Sequence, residues 1–168
     1  HSIGAGVDAL VSDPTLPALP VCRVVDPTLG TAMAEFVLWG ALYFHRRFDE
    51  VVANARRGHW ERFEQKAAAQ VRVGVLGLGA LGRQAASLLV KAGYAVSGWS
   101  RTPKAIDGVT VHAGEAALPG FLASTDILVC LLPLTRETHG ILNIRNLALL
   151  PQGAAPDPVQ PRPAPRGR

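Results

Sequence analysis

The sequence predicts an α/β fold: a Rossmann-type, doubly wound parallel sheet. Three observations carry that prediction. Short apolar, β-branched runs alternate with helical stretches from residue 71 onward. The first run, residues 71–76, leads straight into Gly77-Leu-Gly79-Ala-Leu-Gly82. A helical pattern follows over 80–92 and stops at Gly93. G-x-G-x-x-G alone is a weak signal, but in the slot between a strand and a helix it is a dinucleotide-binding fingerprint. The spacing has a mechanical reading. Gly77 permits a tight turn, Gly79 lets a pyrophosphate approach the backbone, and Gly82 lets the helix pack closely on the strand. The N-terminus of the helix that follows offers N–H groups and a partial positive charge to phosphates.

The elements follow in chain order. Residues 1–30 are broken by Pro14, Pro17, Pro20 and Pro27 and admit only short extended pieces, with 21–25 as a strand. Residues 31–49 read as a long helix capped by Thr31, with Met33, Phe36, Val37, Ala41, Phe44 and Phe48 near helical spacing. A second helix runs over 50–57 to Gly58, and 61–70 is a polar connection. Strands are expected at 71–76, 94–99, 109–112 and 126–132, with a short helix over Leu118–Ala123 and a last helical turn or two over 144–150. After Ala155 five prolines alternate with arginine and small residues, so 156–168 reads as a disordered or polyproline-like tail that cannot form a fifth strand.

Composition narrows the classes. The chain has 168 residues, 48% hydrophobic and 18% charged, which is globular and large enough for one domain with a core and part of another. The net charge of +4 raises nucleic-acid binding, but the tail's three arginines and one aspartate supply two of those charges and no helix gathers the rest, so no nucleic-acid partner is expected. No apolar run approaches the roughly 18 residues of a membrane span, so no membrane is expected. Cys22 and Cys130 show neither metal spacing nor a disulfide framework, so no metal is expected and a reducing, cytoplasmic setting fits.

The end of the second strand selects the cofactor. NAD sites place an acid there, about 20 residues past the glycines, to hold the ribose 2′-hydroxyl. Here the chain reads Trp99-Ser100-Arg101-Thr102-Pro103-Lys104, with no acid. A hydroxyl, a guanidinium and an ammonium suit a 2′-phosphate, with Arg101 as the bidentate partner. The residues favour NADP over NAD; solvated loop cations are the alternative reading of Arg101 and Lys104.

Taken together these stretches resemble the D-isomer-specific 2-hydroxyacid dehydrogenases, on the side of the NADP-using glyoxylate/hydroxypyruvate reductases. The resemblance rests on Gly4-Ala-Gly-Val-Asp8, on Met33-Ala-Glu-Phe-Val37 with Arg46-Arg47-Phe48, on Val75-Leu-Gly-Leu-Gly-Ala-Leu-Gly82, and on Leu131-Leu-Pro-Leu-Thr135 with Glu137-Thr-His-Gly-Ile-Leu-Asn143 and Leu150-Pro-Gln-Gly-Ala154. It covers residues 1 to about 155 and implies two lobes around a cleft. Residues 1–30 would be the remnant of a substrate domain, 31–70 crossover helices, and 71–155 an incomplete dinucleotide-binding domain. Backbone N–H groups of Ala5 and Gly6 would face a substrate carboxylate, Ala80 and Leu81 would cover the pyrophosphate, and Leu132 and Pro133 would border the adenosine. The implied activity of the intact parent is hydride transfer from NADPH to a small 2-oxo acid such as glyoxylate or hydroxypyruvate, in a homodimer.

The sequence departs from that family in its catalytic groups. The family's Arg in an Ala-Arg-Gly context and its later Glu–His pair are absent. Asn54-Ala-Arg-Arg-Gly58 precedes the glycine turn, and Arg166-Gly167 lies in the tail. His45, His59, His112 and His139 are read as structural or solvated, none placed with a carboxylate in a recognisable acid/base pair. The expectation is therefore a C-terminally truncated or frame-shifted fragment, begun at a cut and inactive by itself. A non-catalytic dinucleotide-binding or interaction module and a non-functional product remain the alternatives.

Overall fold

The structure is a computed structural model that describes residues 13–16, 20 and 26–156. The expected strand at 21–25, Cys22, Ala5 and Gly6, and residues 157–168 lie outside the described residues. Helix α1 spans Pro27–His45 and α2 spans Phe48–Arg56. The sheet then begins: β1 Arg72–Leu76, α3 Ala80–Lys91, β2 Ala95–Ser100, β3 Val109–Ala113, α4 Leu118–Ala123, β4 Ile127–Cys130, α5 Ile144–Leu147 and β5 Ala155–Pro156.

The first helix starts four residues before the expected Thr31. Asp26 is its N-cap, accepting a hydrogen bond from the Thr28 N–H at 2.8 Å, and Pro27 stands in the first turn, where a missing N–H costs nothing. The helix ends at His45 rather than Asp49 because Arg47 takes the left-handed conformation at φ 56° and turns the chain into α2. Gly30 lies inside α1. A Cβ there would run into the Gln84 side chain of α3, so this glycine lets the two helices approach.

All strands are parallel, in the order β3-β2-β1-β4-β5, as the alternation of strands and helices predicts. Val73 pairs with Val96 on one side and Ile127 on the other. One face of the sheet packs against α1 and α3 through Val37, Val73, Val75, Ala85 and Leu89. The other packs against α4 through Leu76, Trp99, Phe121, Leu122 and Leu128. These strands are buried on both faces and read as near-continuous apolar runs for that reason.

The expectation that no fifth strand forms is corrected. Ala155–Pro156 begins one, with Ala155 opposite Ile127 and Pro156 opposite Leu128. Proline lacks an N–H but keeps its carbonyl, so it is tolerated on the outermost strand of a sheet. The first two residues of β4 are thus covered, and the apolar edge is shorter than expected.

The amino ends of β1 and β4 are clamped together. Asp126 accepts hydrogen bonds from the Arg72 backbone N–H at 2.9 Å, from its Nε at 3.0 Å and from its Nη2 at 2.5 Å. The Arg72 guanidinium holds the Asp126 carboxyl below the usual carboxylate range, against the opposing pull of partial burial. At the end of α1, His45 Nε2 lies 2.9 Å from the Lys66 carbonyl and Nδ1 lies 3.0 Å from the Tyr94 hydroxyl. The carbonyl can only accept, so Nε2 donates and Nδ1 accepts from Tyr94, whose hydroxyl burial keeps protonated.

Candidate dinucleotide site

The site is assembled at the carboxyl ends of β1, β2 and β4, where an open parallel sheet leaves a crevice. Each glycine of the turn has a different constraint. Gly77 sits at φ +107°, which disfavours any side chain, and a Cβ there would lie 3.0 Å from the backbone of Leu131 and Leu132. Its N–H donates to the Trp99 carbonyl at 2.9 Å, tying the turn to the end of β2. Gly82 is closed off by the fold itself, since a Cβ would fall 1.8 Å from the Gly77 carbonyl oxygen. Gly79 has nothing within 4 Å of its Cβ position. The fold does not need a glycine there, so the open space is available to a ligand.

Gly79 is the N-cap of α3, and no side chain caps that helix end. The Arg83 N–H closes on the Gly79 carbonyl at 2.9 Å, leaving the earlier N–H groups, at Ala80 and Leu81, without helical partners. Ala80 is exposed and Leu81 half-buried, whereas Leu78 is buried and packs where Gly98 leaves room. The donor set suits an anion: uncapped N–H groups, a favourable helix dipole and a cradle without side chains.

Trp99, at the end of β2, is buried and donates from Nε1 to the Gly114 carbonyl at 2.9 Å. Ser100 is 6% exposed and donates its hydroxyl proton to the Thr102 carbonyl at 2.7 Å. That proton shapes the turn that carries the next residues. Arg101 and Lys104 stand exposed beyond it, and no acid stands among residues 100–106. The loop after β4 forms the opposite wall. Leu132 is half-buried and Pro133 exposed. Thr138 braces this loop, its hydroxyl donating to the Pro133 carbonyl at 2.5 Å and accepting from the Thr135 N–H at 2.8 Å. Sequence reasoning did not single out Thr138; the spacing of Thr135 and Thr138 is the local signal for this Ser/Thr-type turn. Glu137 is held below the usual carboxylate range chiefly by its bond to Thr135, with a contribution from the Arg101 charge.

The described histidines are brought into no common site. His45 is a structural tie, His112 packs edge-on to Phe121 at 5.7 Å between centroids, and His139 is exposed in the loop after β4. His59 Nε2 lies 4.0 Å from Glu61 Oε2, beyond hydrogen-bond distance. Both side chains are more than half exposed on the connector before β1, and the chain's turn at Gly58 brings these near neighbours together. Asn54, Arg56 and Arg57 lie at the end of α2 and the residue after it, with Arg57 bonded to Asn54.

The chain matches the family described as D-isomer specific 2-hydroxyacid dehydrogenase, NAD binding domain, over residues 38–155. It is 40% identical over 148 residues to glyoxylate/hydroxypyruvate reductase A of Yersinia enterocolitica, covering 84% of this chain and 47% of that protein. Among solved structures, a D-isomer specific 2-hydroxyacid dehydrogenase from Xanthobacter autotrophicus in complex with NADPH is 49% identical with a TM-score of 0.88, covering 90% of this chain and 63% of that one. The NADPH-dependent glyoxylate/hydroxypyruvate reductase of Sinorhizobium meliloti, in complex with NADP and sulfate, is 44% identical with a TM-score of 0.83, covering 88% and 46%. The chain thus spans about half the length of the curated relatives it matches.

Proposed function

The chain belongs to the D-isomer specific 2-hydroxyacid dehydrogenases, through their NAD binding domain, and from that premise we propose that it is the cofactor-binding part of an NADPH-dependent reductase of small 2-oxo acids, glyoxylate and hydroxypyruvate among them. The observation that carries this reading is the pairing of an uncapped helix N-terminus at an open Gly79 with a β2 end that bears Arg101 and Lys104 and no acid. Gly77, Gly79 and Gly82, with the N–H groups of Ala80 and Leu81, hold the pyrophosphate. Arg101 and Lys104 hold the 2′-phosphate on the turn that Ser100 shapes. Leu132 and Pro133 border the adenosine. The backbone N–H groups of Ala5 and Gly6, which lie outside the described residues, are proposed from the family resemblance as partners of the substrate carboxylate.

The bound nicotinamide supplies the hydride. The chain's own part is to bind and orient the dinucleotide, because none of the described histidines stands with an acid and an arginine at the crevice. The proposed compartment is the cytoplasm, where NADPH is available as a reductant. We extend the reading to a homodimer of the intact protein, supported by the exposed apolar face of α1 and α2. Phe36 is 44% exposed, Trp39 52% and Phe48 47%. Aromatic rings run along this surface tilted to one another, Phe36 to Trp39 at 5.6 Å and Trp39 to Tyr43 at 5.4 Å between centroids.

Calorimetric titration of the purified chain with NADPH and NADH tests the cofactor. Tighter binding of NADPH is expected, and equal affinities would contradict it. No turnover is expected from these 168 residues, since a positioned proton donor contributes roughly 10²–10⁴-fold by itself. A steady, glyoxylate-dependent loss of NADPH absorbance that Gly79→Trp abolishes would overturn that.

A further inference from the structure

The segment that carries Arg101 and Lys104 is held at few points. Ser100 shapes its first turn, and Ile106 packs against the core at its far end. Between them, among the described residues, residues 103–105 make one hydrogen bond to another element: Arg83 Nη1 donates to the Ala105 carbonyl at 3.1 Å. Arg83 belongs to the first turn of α3, and its backbone N–H bonds to Gly79, the N-cap of that helix. One residue therefore joins the helix end that faces the pyrophosphate to the segment that faces the ribose. A guanidinium suits this task. It stays charged at any working pH and directs its N–H groups in a rigid fork, so one can be fixed on a carbonyl while the charge remains beside the anion site. A segment with so few ties depends on the one contact that anchors it.

We propose that Arg83 is a positioning residue for 2′-phosphate recognition: through Ala105 it holds residues 101–105 against the start of α3, so that Arg101 and Lys104 face the ribose end of the dinucleotide. This rests on the reading of Arg101 and Lys104 as the 2′-phosphate partners. A purely structural role would lower stability, or the affinity for both dinucleotides, without changing the ratio between them.

The test measures the affinity of the whole chain for NADP and NAD, together with its melting temperature, in a mutant cycle. Arg83→Met is expected to weaken NADP binding about tenfold, in line with the loss of one hydrogen bond from a charged group. NAD affinity should stay within about twofold, since it needs no phosphate-binding segment. Arg83→Lys, which keeps a donor and the charge, should recover most of the loss. In an Arg101→Ala/Lys104→Ala background, Arg83→Met should have no further effect, because a residue that acts through those two has nothing left to position. Equal losses for NADP and NAD, or a full Arg83→Met effect in that stripped background, would overturn the proposal, the latter by making Arg83 a direct phosphate ligand. A wild-type preference for NADP that Arg83→Met leaves intact overturns the role of Arg83 alone. A wild-type chain with no preference overturns the reading beneath it as well.

Discussion

A Cβ on Gly82 would lie 1.8 Å from the Gly77 carbonyl oxygen, whereas the side chains of Arg101 and Lys104, at the end of the neighbouring strand, stand in solvent under no such constraint. The two walls of one crevice are built by opposite means. The glycine turn is shaped by what the backbone excludes, and its donors are main-chain N–H groups that only a proline substitution removes. The β2 segment is shaped by a few side-chain hydrogen bonds, and its donors are side chains that any substitution can change. On the proposed reading, the first wall governs whether a dinucleotide fits, and the second which dinucleotide. Stability and selectivity should separate along the same line.

The largest effect that would break this division is Gly82→Ala. The added Cβ meets backbone rather than a yielding side chain, so a loss of roughly 3 kcal/mol or more, or failure to fold, is expected in denaturant titration. Gly79→Ala is the contrast within the same turn. Its Cβ position is open, so stability should change by less than about 1 kcal/mol, as for a Gly/Ala exchange at an unstrained site, while binding of both NADPH and NADH falls. Equal destabilisation by the two substitutions would show that the turn is not divided as the structure has it.

Arg101→Asp sharpens the other side. A guanidinium–phosphate interaction of about 1.5–3 kcal/mol corresponds to roughly ten- to a hundredfold in affinity. The exchange should reverse the NADP preference with no change in melting temperature, read by calorimetry and by thermal unfolding of one preparation. A matching fall in NADH affinity would place Arg101 on the pyrophosphate instead.

The smallest effect lies away from the crevice, at the Arg72–Asp126 clamp. The folded carboxyl of Asp126 is held low, so it contributes stability above its ordinary range, near pH 4, and loses that contribution as pH falls through its depressed folded value. Asp126→Asn should lower the melting temperature at pH 7, and the gap between wild type and variant should narrow as the pH falls below about 4. The two side chains are 47% and 34% exposed, so solvent screening keeps the pair to about 1 kcal/mol or less. A difference that does not narrow as the pH falls below about 4 would assign the effect to packing rather than to charge.

Much of the fold and of the glycine turn was legible in the sequence. Alternating apolar periodicity dictates parallel strands with helices between them, and the three glycines sit where backbone geometry forbids or does not need a side chain, a local matter that spacing reports. Element ends were legible only in part. The start of α1 was set by Asp26 and Pro27, whose local capping chemistry outweighed Thr31, and its end by the left-handed turn at Arg47. What only the tertiary structure decided are the contacts between segments distant in sequence. Arg83 reaches Ala105 across 22 positions, Arg72 reaches Asp126 across 54, and Pro156 pairs with Leu128 because β4 offers it an edge, where the sequence alone argues that a proline-rich run cannot pair. Periodicity and spacing record what a residue needs from its own neighbourhood. A hydrogen bond between remote segments depends on where the whole sheet brings them, and no local pattern carries that information.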